Sequence, residues 1–161
     1  MPVPSTGIDF RLTLSPLAML AGDPTIRLGE TSMTRATVTP DGPGAIGVEW
    51  LSDREEVLLT GYDAGGSWLV DRGAYLVGAD DDASSFDPAD GVVAQLWARF
   101  RGDRVARTGT LWHDAAWTIV QQRVRRRDAA AQWRRFVLDM GTRVSGVDDL
   151  WAPPDPQRVA R

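Results

Sequence analysis

The sequence contains no cysteine and no lysine, and it has one histidine, His113. The first absence excludes disulfide scaffolds and thiolate zinc sites while leaving the redox compartment open. No apolar run approaches the roughly 18 residues that a membrane span needs, which excludes a transmembrane protein. Residues 1–7 carry neither a basic segment nor an apolar one, so no signal peptide is read and the cytoplasm is the expected compartment. Without lysine, all 18 cations are arginines. Arginine binds phosphate bidentately and stacks on bases, yet arginine-only usage also follows from genomic base composition, so placement carries more than residue choice.

The placement is uneven. Of 161 residues, 43% are hydrophobic and 25% charged, values suited to a soluble globular chain with a real core. The net charge of −4 conceals two opposed halves. Residues 1–90 hold 5 Arg against 15 Asp and Glu, whereas residues 91–161 hold 13 Arg against 7 Asp. Within residues 99–135, 10 Arg stand against 3 Asp, the electrostatic footprint of a polyanion partner.

Periodicity divides the chain in the same way. Ile8, Phe10, Leu12 and Leu14 alternate with polar residues and predict a strand that Pro16 stops. Thr25–Leu28, Met33–Thr39, Ala45–Trp50 and Val57–Leu59 are short β-prone runs separated by turn residues, which predicts an antiparallel meander. Gly65–Gly78 has helical spacing, with Gly73 as its weak point. Asp87-Pro88 then supplies a start signal for a helix over 88–101 carrying Val92, Val93, Leu96, Trp97 and Phe100. Leu111–Arg127 reads as a second helix with Leu111, Ala115, Ile119 and Val120 in its apolar stripe, and Ala129–Met140 as a third ended by Gly141. Asp155-Pro156 opens another helix with five residues after the proline, as in a truncated or divided protein. Strands first and helices second predict an α+β fold, with an α+β domain over 1–90 and a helical segment over 91–161.

Few motifs carry chemistry. His113-Asp114 lacks the third group of a triad and reads as a helix-surface pair. The acidic stretch Asp80–Asp90 lacks the glycine and terminal glutamate of a calcium loop and reads as solvated. Gly61, Gly65 and Gly66 match neither nucleotide fingerprint. Trp97 and Trp117 stand at helical spacings that predict core rather than a base-stacking platform. No cofactor or metal site is implied.

What remains is Ile119-Val120-Gln121-Gln122-Arg123-Val124-Arg125-Arg126-Arg127, where an apolar helix gives way to cations. With Thr108-Gly109 before it and Ala129–Trp133 after it, this segment resembles the entry to the catalytic domain of helix-hairpin-helix DNA glycosylases. The likeness is to the 3-methyladenine DNA glycosylase II type, in the form common in high-GC bacteria. Leu14-Ser15-Pro16-Leu17, Gly22-Asp23-Pro24, Thr39-Pro40-Asp41-Gly42-Pro43 and Phe86-Asp87-Pro88 are similar to that form in order and spacing. The similarity runs from about Ile8 to about Arg143 and covers the front half of the family.

The resemblance implies an N-terminal antiparallel sheet with helices, similar to a TATA-binding-protein repeat, followed by the first helices of an incomplete glycosylase core. It implies that Gln122 lies beside DNA and that Arg123 occupies the wedge position, filling the gap left by an extruded base. Arg125 stands where the family usually has Ser or Thr, and Arg126 where a small residue is common. The family's Gly-containing hairpin and catalytic Asp have no counterpart here, so no residue takes the catalytic role and no turnover is expected.

The expected function is therefore the DNA-binding part of a base-excision glycosylase, through Gln122, Arg123, Arg125, Arg126 and Arg127. The expected partner is double-stranded DNA, bound weakly and without sequence preference. The alternatives are an interaction module that pairs with a separate catalytic half or with itself, and a degenerate remnant. The bland reading of the arginines is a solvated helix face or pairing with the acidic half. Arg27 and Arg54, in that acidic half, are expected to be spectators.

Overall fold

The structure, a computed structural model, describes residues 1–89 and 91–160. Apolar alternation in the first sixty residues builds β1 (Pro2–Pro4), β2 (Ile26–Leu28), β3 (Ser32–Thr39), β4 (Gly42–Leu51) and β5 (Glu56–Tyr62). These pair antiparallel in the order β1-β5-β4-β3-β2, so β2 to β5 form the expected meander and β1 joins its far edge. The turn between Thr39 and Gly42 sets the register that places Met33 opposite Val48, Arg35 opposite Ile46 and Ala36 opposite Ala45. One face therefore presents Met33, Ile46, Val48, Val57 and Leu59 to the main core, while Ala36 and Ala45 form the floor of the other.

The α+β class is as expected, but the first predicted strand is not. Phe10–Leu14 is a short helix, α1, whose Asp9 side chain accepts from the Leu12 N–H at 2.9 Å. Phe10 and Leu14 are four residues apart, a spacing that serves a strand and a helix equally, and the cap decides between them. Pro16 then sits inside a 3₁₀ turn, Ser15–Ala18. The predicted helix over Gly65–Gly78 is two pieces, α2 (Gly66–Val70) and α3 (Gly73–Val77), with Gly78 closing the second in the left-handed region at φ 70°. Gly61, Gly65 and Gly66 serve packing. A Cβ on Gly44 would stand 2.6 Å from the Gly65 carbonyl carbon, so backbone meets backbone where α2 crosses β4.

The second half contributes α4 (Gly91–Phe100), α5 (Leu111–Gln121), α6 (Arg126–Met140), β6 (Thr142–Arg143), β7 (Trp151–Ala152) and α7 (Pro156–Val159). Helix α4 begins later than the Asp87-Pro88 signal predicts, because Gly91 at φ 68° interrupts the helical path. Asp90, which ends the acidic stretch and falls within that predicted helix, lies outside the described residues. No residue of α4 is buried, and Trp97 is not core: it is half-exposed and meets Phe86 edge to face at 5.0 Å. Asp155 caps α7 as predicted, accepting from the Arg158 N–H at 2.9 Å.

The two halves share cores. Leu20 packs with Ala116, Ala129, Trp133 and Val137, and the β6–β7 pair lays Val144, Leu150 and Ala152 over Ala36 and Ala45. Neither β1 nor the β6–β7 pair is foreseen from periodicity, since prolines flank the one apolar residue of β1 and two-residue strands carry no alternation.

Candidate nucleic-acid interface

Helix α5 does not continue to Arg127. It ends at Gln121, Gln122 turns extended, Arg123 adopts φ 62°, and α6 starts at Arg126. A continuous helix would bring Arg123, Arg126 and Arg127 together at three- and four-residue spacings, where like charges repel. Breaking it also lets α6 fold back on α5, so that Ala129, Trp133 and Val137 meet Ala116.

The break gathers the sequence-predicted residues at one place. Gln122, Arg123 and Arg125 lie in the connecting loop, Arg126 and Arg127 in the first turn of α6, and all five are exposed. Arg123 holds a backbone conformation that L-residues other than Asn, Asp and His seldom adopt. The N-terminus of α6 has no side-chain cap, and two cations stand at the positive end of its dipole. The uncapped N–H groups and the two cations favour an anion placed there, a demand only partly met by Asp128 in the same turn. Among the described residues none of these arginines pairs with a carboxylate of the acidic half: Arg126 donates to the Met19 carbonyl, and Arg127 stands 3.9 Å from Asp128.

Behind the loop, a polar network joins α5 to the sheet. The Arg35 guanidinium, on β3, is buried and donates to Asp114 Oδ1 at 2.7 Å and to Thr110 Oγ1 at 3.0 Å. Burial lowers its pKa, and the charges of Asp114 and Asp23 oppose that shift. Asp23 Oδ1 accepts from the Thr25 N–H, the Thr25 hydroxyl and the Trp133 indole at 2.7–2.9 Å. His113 is not on the surface as expected. It is 3% exposed, its Nδ1 lies 3.0 Å from Thr37 Oγ1, and its ring stacks on Trp133 at 5.4 Å. Burial, then the nearby Arg35 charge, holds its pKa well below 6.5, so the imidazole is neutral. Beside it is a cavity of about 180 Å³ between Pro16, Arg35, Asp114 and Trp117. Trp117 is half-buried and packs against the α5–α6 cluster at the margin of the predicted core, and among the described residues its buried indole N–H has no partner.

The helical stripe expected on α5 is rotated. Leu111 and Ile119 are exposed, whereas His113 and Ala116 are buried and Val120 packs beside them. The helix carries apolar residues on two faces, and docking on the sheet selects the face that contains His113. Sequence reasoning missed Arg35, His113 and Asp23 as partners. The available signal was parity: Arg35 has the strand phase of Met33 and Thr37, hence the inward face.

No family model and no curated protein matches the sequence. Among solved structures the chain is similar to a 3-methyladenine DNA-glycosylase from Archaeoglobus fulgidus, with a TM-score of 0.76 and 16% identity. The match covers 99% of this chain and 57% of that one, so the chain spans little more than half the length of the structure it resembles.

Proposed function

We propose that these 161 residues are the DNA-contacting part of a base-excision glycosylase of the 3-methyladenine type, and that alone they bind duplex DNA without releasing a base. The observation that carries this reading is the α5–α6 loop: Arg123, exposed at positive φ, is flanked by an uncapped helix N-terminus and by Arg125, Arg126 and Arg127. The likeness of fold to a DNA glycosylase supports it. In this reading Arg123 is the wedge, Gln122 lies against the opened base pair, and the remaining arginines hold phosphates. Filling the gap offsets part of the few kcal/mol that unstacking costs.

The test is titration of a short duplex at several salt concentrations. Neutralising three or four phosphates gives the loop a share of roughly −3 to −4 in the slope of log K against log salt, with affinity of order 10⁻⁴–10⁻⁶ M. Replacing Arg125, Arg126 and Arg127 by Gln is expected to remove most of that share, while Arg54→Gln leaves the slope unchanged. The same protein is expected to release no alkylated purine. An unchanged slope in the triple variant overturns the reading.

A second reading, an interaction module, is favoured by α4, where Val92 is 70% and Leu96 51% exposed on a helix with no buried residue.

A further inference from the structure

The basic surface does not end at the loop. Four guanidiniums converge on the chain between Met19 and Gly29, each held by backbone carbonyls. Arg126 donates to Met19, Arg134 to Gly22 at 3.3 Å, Arg27 to Asp23 and Ile26 at 2.9 Å each, and Arg11 to Gly29 at 3.0 Å. Carbonyls position a guanidinium without neutralising it; Arg11 and Arg134 each spend one of their five N–H donors here, Arg27 spends three, the third on the Asp149 carbonyl at 2.9 Å, and each keeps the rest for a ligand. Two grooves run over these residues. One, of about 490 Å³, is lined by Arg11, Arg27 and Arg134, and the other, of about 450 Å³, by Arg126, Arg127 and Arg134. Arg134, on α6, belongs to both and makes them one track from the α5–α6 loop to the β2 edge of the sheet.

Three carboxylates border the track, one of them Asp128, 3.9 Å from Arg127. Asp23 directs Oδ1 inward to Thr25 and Trp133, and Asp149 stands 3.8 Å from Arg27 with 83% of its side chain exposed. A solvent-exposed pair of that kind is worth little, so the track remains cationic. Like charges fixed side by side on carbonyls are unfavourable until a polyanion joins them, and a groove with arginines at intervals fits a phosphodiester backbone.

We propose that the backbone of duplex DNA engaged at the α5–α6 loop continues along this track, with Arg134, Arg27 and Arg11 as phosphate contacts. The acidic half of the chain thereby takes part in binding, and Arg27 is a contact rather than a spectator. The inference rests on the DNA-binding reading of the loop and extends it to a second surface.

The experiment compares three proteins on one 20-base-pair duplex by fluorescence anisotropy between 50 and 200 mM salt: the wild-type chain, the loop variant Arg125→Gln/Arg126→Gln/Arg127→Gln, and the track variant Arg11→Gln/Arg27→Gln/Arg134→Gln. The wild-type slope is expected near −6, steeper than the loop alone supplies, and the track variant is expected to flatten it by roughly 0.9 per arginine. Lysine at the three track positions is expected to restore the slope, because phosphate contact needs the charge. Near-ultraviolet circular dichroism checks that each variant is folded, and single substitutions replace any triple variant that is not. A track variant with the wild-type slope, beside a loop variant with a flattened one, overturns the track and leaves the loop reading intact. Wild-type slope in the loop variant overturns the loop reading itself. Loss of binding to vesicles of anionic lipid, with duplex binding unchanged in the track variant, assigns the track to membranes and also overturns the proposal.

Discussion

The residue with the most readable physical consequence is His113. Buried against Trp133 and near Arg35, it stays neutral in the folded chain, while the unfolded chain protonates it near 6.5. Below that pH the unfolded state holds the extra proton, so this contribution to stability is lost as pH falls and is constant above about 7. One proton corresponds to a slope of at most about 1.4 kcal/mol per pH unit. Urea midpoints at pH 7.5, 6.5 and 5.5 are expected to fall in this way. Since His113 is the only histidine, His113→Gln is expected to abolish the decline in that window even where it lowers stability overall. A variant that keeps the wild-type slope refutes the assignment. The sequence placed His113 next to Asp114 but gave no sign of burial, because burial comes from Thr37 and Trp133, 76 residues before it on the sheet and 20 after it on α6.

At the scale of elements, the loop between α5 and α6 stores strain. A left-handed backbone costs an L-residue about 1 kcal/mol, a cost that glycine escapes while losing more entropy on folding. Arg123→Gly is therefore expected to be at least as stable as Arg123→Ala, by up to about 1 kcal/mol, with both binding duplex more weakly than the wild type. Thermal denaturation of the two variants settles it, and a less stable glycine variant removes strain from the account. The helices of the second half were legible from their spacing, with Asp155 and Gly141 marking ends correctly, although α4 starts later and α5 stops earlier than that spacing predicts, whereas Phe10–Leu14 read as a strand and Gly65–Gly78 as one helix rather than two. The loop was not legible. Gln122–Arg125 contains no proline or glycine, and the break follows from charge repulsion and from Trp133 seeking the α5 face.

For the molecule as a whole, the exposed face of α4 sets the expectation. Val92, Val93, Leu96 and Phe100 lie on it, and Leu111 and Ile119 add apolar surface on α5. Val137, on α6, is by contrast fully buried against α5. Four large apolar side chains left exposed on one helix are the pattern of a surface that another chain covers. Light scattering at micromolar concentration is expected to show a dimer or larger species, and Val92→Asp/Leu96→Asp is expected to return it to monomer with unchanged circular dichroism. A wild-type monomer that binds no apolar dye rules out the interaction-module reading.

The amino-acid order alone determined the α+β class, the meander, the third helix and the concentration of arginines after residue 98. Each depends on contacts or charges close along the chain, where alternation and caps are local properties. Tertiary structure decided the rest. It chose the buried face of α5, because two apolar faces were available and the sheet could accept one. It carried Arg35 inward to Asp114 across 79 residues, a pairing no local pattern encodes. It also drew Arg11 and Arg27 from the acidic half to the side of Arg134 and Arg126, because the segment between Met19 and Gly29 offers its carbonyls to both halves. Net charge summed along a chain cannot show this, since potential at a surface depends on distance in space.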